Sequence, residues 1–81
     1  MKIYVRIFPI AGLFDATQEL EVKLIEGRLS ELMNSLNQSL GADLLDKDIL
    51  ILHNGHSLDI KSDTLFSDGD QIWIIHCLSG G

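Results

Sequence analysis

The amino-acid sequence predicts an α+β fold in which one main helix packs across one face of a single mixed sheet of four to five strands. Apolar residues alternate with polar ones over residues 2–8 and 18–24, which is the period of a half-buried strand. Between residues 29 and 40 they recur every three or four positions, which is the period of an amphipathic helix. With 81 residues the chain has room for one domain, predicted over residues 1–81.

The first two strands are expected to pair as a hairpin. The first runs from residue 2 to residue 8 and ends at Pro9, which has no backbone N–H to continue a ladder. The second covers residues 18–24, where apolar residues alternate with charged ones from Glu19 onward. Because each strand has one apolar face, both are predicted to lie over the same core.

The helix is predicted from residue 29 to residue 40. Gly41 is its natural stop, since glycine readily adopts the left-handed conformation that ends helices. The start is less favourable, because Arg28 occupies the position where Ser, Thr, Asp or Asn caps best, which forgoes about 1 kcal/mol. We therefore expect a weakly capped first turn.

Three further strands are predicted in the C-terminal half. Residues 48–53 are apolar on both faces, and Asn54-Gly55 suits a type I′ turn because both positions accept positive φ. A short return strand is expected near residues 56–58. After turn-forming residues, the final strand covers residues 71–77. The predicted order β, β, α, β, β, β is the layout of a β-grasp domain.

The final strand is predicted to have two different faces. Ile72 and Ile74 are expected in the core, leaving Trp73, Ile75 and Cys77 on the outer face of the sheet. Tryptophan is enriched among the residues that dominate binding interfaces. Trp73 is therefore a candidate partner-binding residue, with an ordinary packed aromatic beneath a loop as the alternative.

Composition limits the partners and the compartment. The formal net charge of −6 offers no basic patch for phosphate backbones, so nucleic acid is not expected as a partner, whereas a basic protein surface is. The N-terminal residues do not resemble a signal peptide, and no apolar run approaches the length of a membrane span. One cysteine, Cys77, cannot form an internal disulfide. These features favour a cytoplasmic protein that does not act at a membrane.

The sequence does not predict an enzyme. It contains no glycine-rich phosphate loop, paired catalytic carboxylates or nucleophile elbow. His53, His56, His76 and Cys77 can bind metals as residue types, but their spacing does not match a zinc site, so no metal and no bound cofactor are expected. Cys77 is interpreted as an ordinary residue at a strand end.

The C-terminal Gly80-Gly81 is the feature that most favours a specific use. A terminal carboxylate that reacts in another protein's active site must leave the fold and pass a narrow channel, which side chains would obstruct. Residues 77–81 are therefore predicted to form a flexible tail, and from residue 76 the chain can extend at most about 20 Å. The alternative is a frayed end or a remnant of cloning.

At these residues the chain resembles the ubiquitin-like sulfur carriers of the MoaD/ThiS family. The likeness covers nearly the whole chain and includes the segments "KIYVRIF", "EGRLSELMNSL", "LHNGH" and "DGDQIWIIHCLSGG". It implies that an E1-like adenylyltransferase activates the terminal carboxylate with ATP and that the product becomes a thiocarboxylate. By position that role falls on Gly81, with Gly80 beside it, while Trp73, Ile75, Cys77, Leu78 and Ser79 are the candidate partner-binding residues.

The resemblance also implies a recipient for the sulfur. Length favours the small subunit of molybdopterin synthase, with the large subunit as partner, over the shorter thiazole carrier, whose partner is thiazole synthase. Two departures leave the acceptor open: the family's usual Arg-Glu is absent from "FPIAGLFDAT", and its paired prolines are replaced by His76-Cys77. A ubiquitin-like modifier of protein lysines and a noncovalent β-grasp interaction domain with an inert tail remain alternatives.

Overall fold

The computed structural model describes residues 1–77, and these form one five-stranded mixed sheet crossed by one α-helix. The α+β prediction and the predicted order of elements are confirmed. The elements are β1 (Lys2–Ile7), β2 (Gln18–Lys23), α1 (Leu29–Leu40), a 3-10 helix (Leu44–Asp46), β3 (Ile49–His53), β4 (His56–Ser57) and β5 (Gln71–His76).

The strands lie in the order β2-β1-β5-β3-β4. The predicted hairpin is present, since β1 and β2 pair in antiparallel fashion. The final strand β5 occupies the centre, parallel to β1 and antiparallel to β3. The neighbours of β5 could not be predicted from local patterns, because a strand with one core face fits several positions in a sheet.

Each of the five strands is one residue shorter than predicted. The first, second, fourth and fifth end one residue early, and the third begins one residue late, at Ile49. The chain still continues alongside its neighbours beyond the ends of β1 and β5, because the Phe8 N–H donates to the Ile74 carbonyl at 2.9 Å and the Cys77 N–H to the Asp48 carbonyl at 2.7 Å. Pairing therefore fades gradually at the strand ends.

The core lies between the helix and one face of the sheet. Ile72 and Ile74 are fully buried there, as predicted. The helix stripe is buried along most of its length and half-buried at Leu40, near the end of the helix. Leu20 is also only half-buried, since β2 is an edge strand. The described residues include no buried polar or charged side chain, so burial of apolar surface stabilises this core.

One acidic side chain from the first turn and one from a distant loop order the start of the helix. Arg28 makes no capping hydrogen bond with its side chain, as predicted. Instead the Glu31 carboxylate accepts N–H bonds from Ile25, Glu26 and Gly27 at 2.7–2.9 Å, and Asp63 accepts from the Ser30 N–H at 3.1 Å. Asp63, from a second loop, thus satisfies an N–H group of the first turn, while Glu31 holds the loop that precedes the helix.

Two predicted glycine-containing turns are confirmed. Gly41 has φ 65° and donates its N–H to the Asn37 carbonyl, which ends the helix. Asn54 has φ 49° and Gly55 has φ 87°, as a type I′ turn requires, and they join β3 to the short strand β4. No helix within residues 1–77 is long and apolar enough to cross a membrane.

Candidate functional site

The face of the sheet opposite the helix carries the candidate partner-binding residues. We call it the outer face, formed by Tyr4, Arg6 and Phe8 from β1 and its end, Trp73 and Ile75 from β5, and Leu50 and Leu52 from β3. Register places Leu52 beside Trp73 and Leu50 beside Ile75. Side chains on this face alternate with buried ones, because successive residues of a strand point in opposite directions.

Trp73 lies at the centre of the outer face and is 39% exposed. Its ring meets the Phe8 ring edge to face, with centroids 5.5 Å apart, and the Arg6 guanidinium lies 5.6 Å from its centroid. The predicted outward position is therefore confirmed, and its aromatic neighbour follows β1 directly. The contacts hold the indole in one orientation while leaving a large part of it open to a partner.

Ile75 extends the apolar surface along β5 from Trp73 toward the C-terminus. It is half-buried and paired across the sheet with Leu50, which is 36% exposed. Cys77, two residues further on, is exposed with a free thiol. The apolar part of the outer face therefore extends along β5 to the end of that strand.

The charged part of the outer face lies over β1 and β2. Arg6 donates to the Glu19 carboxylate at 2.8 Å, and Lys2 lies 3.7 Å from the Glu21 carboxylate. Between these pairs and Trp73 is an open depression of about 410 Å³ whose wall includes Tyr4. The outer face thus combines an apolar half with a half of paired charges, an arrangement typical of protein interfaces with a polar rim.

The end of β5 is held from both sides. Besides the Cys77–Asp48 hydrogen bond, the Ala11 N–H approaches the His76 Nδ1 atom at 3.4 Å. The predicted tail residues Leu78, Ser79, Gly80 and Gly81 lie outside the described residues, so the predictions made for them stay predictions. The described chain fixes the position from which those residues start.

A polar cluster at the other end of β5 fixes the beginning of that strand. The His53 Nε2 atom lies 2.7 Å from the Asp70 carboxylate, which also accepts from the Ser67 N–H and the Asn54 side chain. Burial acts to raise the pKa of Asp70, but the hydrogen bonds from Ser67, His53 and Asn54 outweigh it and leave the pKa below the usual 3.8. Asp70 is therefore a structural carboxylate, more than the simple turn former that its sequence context predicts.

The histidines and the cysteine are spread over the fold. Within residues 1–77, no group of three or more potential metal ligands comes together. His53 contacts Asp70 and meets the Phe66 ring edge to face, with ring centroids 5.0 Å apart, while His76 contacts the loop after β1. The described part of the chain therefore presents no set of side chains for metal chemistry.

Sequence reasoning missed the neighbours that shape the outer face. Arg6 alternates outward on β1, but only its parallel pairing with Trp73 brings it to the indole. Leu50 and Leu52 belong to a strand that is apolar on both faces. Its sequence therefore does not indicate which of the two faces lies in the core and which is exposed. Alternation identifies outward residues, whereas strand order decides which of them meet.

Comparison with known proteins identifies the fold. Neither a protein-family model nor a curated protein matches the chain. Among solved structures, SAMP1 from Haloferax volcanii matches with a TM-score of 0.73 at 17% identity, over the whole of both chains. The small archaeal modifier protein 1 from Methanosarcina acetivorans matches with a TM-score of 0.66 at 21% identity, over 99% of this chain and 96% of that one.

A third solved structure adds sequence similarity to the shared fold. A chain in the protein–protein complex of subunits 1 and 2 of the molybdopterin-converting factor from Helicobacter pylori 26695 matches with a TM-score of 0.67 at 25% identity, over the whole of both chains. The chain therefore has the ubiquitin-like β-grasp fold, and its structural neighbours support the resemblance to MoaD/ThiS-like proteins.

Proposed function

We propose that this chain is a cytoplasmic sulfur carrier whose Gly81 carboxylate, next to Gly80, is adenylated by a partner enzyme and converted to a thiocarboxylate. The observation that carries the proposal is the arrangement of β5, the central strand of a ubiquitin-like β-grasp fold, which ends at His76 shortly before the Gly80-Gly81 pair. The chain supplies a reacting group to partner enzymes and is not itself an enzyme.

The chemistry begins with a carboxylate that is a poor electrophile. One carboxylate oxygen of Gly81 attacks the α-phosphorus of ATP, and pyrophosphate leaves. Hydrosulfide supplied by the sulfur donor attacks the carbonyl carbon of the resulting acyl adenylate, and AMP leaves, which yields the thiocarboxylate. Adenylation thus converts an oxygen into a good leaving group, as covalent activation does in general. ATP and the sulfur donor belong to the partner's reaction, and glycine offers no side chain to hinder it.

Docking on the outer face would supply the binding free energy for this step. Ordering the four residues after Cys77 costs about 1–2 kcal/mol per residue. Burial of Trp73 and its apolar neighbours is the contribution that offsets this cost, because desolvated tryptophans dominate many interfaces. Trp73 lies in β5, and Cys77 follows that strand directly. A partner that binds the outer face would therefore also determine the position from which the tail starts. From Cys77 the tail reaches at most about 14 Å.

Two classes of partner follow from the proposal. An E1-like adenylyltransferase would activate Gly81, and a cofactor-synthesis enzyme would receive the sulfur. The similar chain from Helicobacter pylori was solved in a protein–protein complex of molybdopterin-converting factor subunits, which supports a protein partner of this type. We favour the large subunit of molybdopterin synthase over thiazole synthase as the acceptor enzyme.

A ubiquitin-like modifier is the second candidate function. Two structural neighbours with the same fold are SAMP1 and a small archaeal modifier protein 1. A modifier begins with the same adenylation but ends with an amide bond to a lysine of another protein. The two functions therefore differ in the final acceptor, while a noncovalent interaction domain with an inert tail would undergo neither reaction.

The test incubates the full chain with ATP, an E1-like adenylyltransferase and a sulfur donor, followed by intact mass measurement. A thiocarboxylate adds about 16 Da, nominally the same gain as one oxygen on Met or Cys. Because the chain has two methionines and one cysteine, fragment masses must locate the gain at the C-terminus. Omission of ATP is the matched control.

The proposal predicts a C-terminal gain that needs ATP and that is abolished when one alanine is appended after Gly81. An equal gain without ATP, or in the extended chain, would contradict it. Higher-mass conjugates to other proteins, with no accumulated thiocarboxylate, would instead indicate the modifier function.

A further inference from the structure

The hairpin turn between β3 and β4 contains a chemically reactive pair. Asn54 is the one asparagine of the sequence that is followed by glycine. The other two, Asn34 and Asn37, are followed by serine and glutamine. Glycine has no Cβ to shield its backbone nitrogen, so this nitrogen can reach the side-chain carbonyl carbon of a preceding asparagine. Asn54 is exposed to solvent, and both turn residues have positive φ.

The reaction open to such a pair is deamidation, which needs only water. The Gly55 amide nitrogen loses its proton and bonds to the Cγ atom of Asn54, and the side-chain nitrogen leaves as ammonia. Water then opens the five-membered imide at either carbonyl, which yields aspartate or isoaspartate at position 54. The net change is the replacement of an amide by a carboxyl group, with no oxidation or reduction.

The structure holds the Asn54 side chain at both of its polar atoms. Its Nδ2 atom donates to the Asp70 carboxylate at 3.0 Å, and its Oδ1 atom accepts from the Gln71 N–H at 2.7 Å. The Asn54 backbone N–H also donates to the Gln71 carbonyl at 2.8 Å. We call these three hydrogen bonds the Asn54 clamp. Attack requires the reacting atoms to approach closely in a defined orientation, which a side chain fixed elsewhere does not sample.

We infer that Asn54-Gly55 is a spontaneous deamidation site that the Asn54 clamp keeps closed in the folded protein. This inference is independent of the sulfur-carrier proposal. Local opening of the hairpin frees the side chain, and the reaction then proceeds at the rate of an unconstrained Asn-Gly pair. Loss of the Asp70 contact leaves the side chain held at Oδ1 alone, which weakens the clamp. The modification is therefore confined to molecules in which the start of β5 has loosened.

The product would keep the hairpin loosened. An aspartate at position 54 presents a carboxylate where the Nδ2 atom now donates to Asp70, so two negative charges replace a hydrogen bond. An isoaspartate also lengthens the backbone of the two-residue turn and disturbs the pairing of β3 with β4. Since Gln71 begins β5, the damage reaches the strand that carries Trp73.

The test follows deamidation of the full chain at neutral pH by peptide mapping, which detects a gain of about 1 Da at Asn54. Four samples are compared: the parent folded, the parent unfolded in urea, Asp70→Ser, and Val22→Ala. Val22 is buried in β2, away from the hairpin, so its variant controls for a general loss of stability. Asn34 and Asn37 serve as internal references in every sample.

We expect the folded parent to deamidate at Asn54 at least about tenfold more slowly than the unfolded parent. Asp70→Ser should speed deamidation at Asn54 measurably in the folded protein, and Val22→Ala should leave its rate unchanged. Equal rates in folded and unfolded parent overturn the inference, as does an effect of Val22→Ala as large as that of Asp70→Ser. If Asp70→Ser does not fold, the comparison of folded with unfolded parent decides alone.

Discussion

Carboxylates at the surface of this protein serve as acceptors for backbone N–H groups. Glu31 gathers three such donors before the helix, Asp63 accepts from Ser30 in the first turn, and Asp70 accepts from Ser67. The pKa of each of these carboxyls lies below its ordinary value, because the hydrogen bonds favour the charged form. Some of the acidic residues of the chain therefore stabilise its loops and the start of its helix.

Glu31→Gln is expected to lower the midpoint of thermal unfolding at neutral pH. The hydrogen bond from the Ile25 N–H is the largest cause of the lowered pKa of Glu31. Burial acts in the opposite direction, and the N–H groups of Gly27 and Glu26 lower the pKa further. A folded-state pKa below the ordinary 4.5 means that the charged carboxylate stabilises the fold above that pH. This stabilisation is lost as the pH falls through the lower folded-state pKa.

The measurement is the unfolding midpoint of parent and Glu31→Gln between neutral pH and pH values well below 4.5. The difference between the two proteins should be largest near neutrality and shrink in acid. Glu26→Gln is the matched control, because it makes the same chemical change at a largely exposed glutamate. The Glu26 carboxylate makes only a long contact of 3.9 Å with Arg28. A difference that does not change with pH would show that Glu31 acts by its shape and not by its charge.

At the residue scale, some of these roles could be predicted and others could not. Glu31 lies three positions after Arg28, the spacing at which a glutamate reaches back over a helix start, so its role is local in the sequence. Asp63 lies 33 residues from Ser30, and only the folded chain brings them together. Long-range caps of this kind leave no signal in a local pattern.

Among the elements, β5 determines both the core and the outer face. Its alternation places Ile74 in the core with no exposed surface and leaves Trp73 39% exposed next to it. The sequence predicted this alternation, because period 2 is a local property of a strand. It could not predict the central place of β5 between β1 and β3, which depends on pairing between residues far apart in the chain.

Substitutions at these two neighbouring positions should separate stability from binding. Ile74→Ala is expected to lower the free energy of unfolding by about 2–5 kcal/mol, because it leaves a cavity in the core. Trp73→Ser should lower it by only about 1–2 kcal/mol, through loss of the contacts with Phe8 and Arg6. Urea unfolding curves measure both values. A larger loss for Trp73→Ser than for Ile74→Ala would mean that the outer face is part of the stabilising core.

As a whole, the molecule presents one exposed sheet face that extends along β5 to its end at His76. The net charge of −6 adds a long-range attraction toward a basic partner without defining a site. The glycine pair was visible in the sequence, and so was the outward tryptophan. That the strand carrying Trp73 is central, with the Cys77 N–H after it bonded to the Asp48 carbonyl, required the structure. Under the proposed function, docking on this face and reaction at Gly81 are separate tasks.

The most direct measurement of that claim is steady-state kinetics of pyrophosphate release by the adenylyltransferase, with the full chain as the varied substrate. The set is the parent, Trp73→Ser, Leu45→Ser and the chain with one alanine appended after Gly81. Leu45 is the matched control, since it is 46% exposed but lines a depression on the helix side of the molecule together with Leu29 and Met33.

Trp73→Ser should raise KM at least about tenfold and leave kcat within about twofold, because it removes docking and not chemistry. Leu45→Ser should behave like the parent. The extended chain should release no pyrophosphate yet inhibit the parent competitively, since its outer face is intact. Parent-like kinetics for Trp73→Ser, or turnover of the extended chain, would contradict the account.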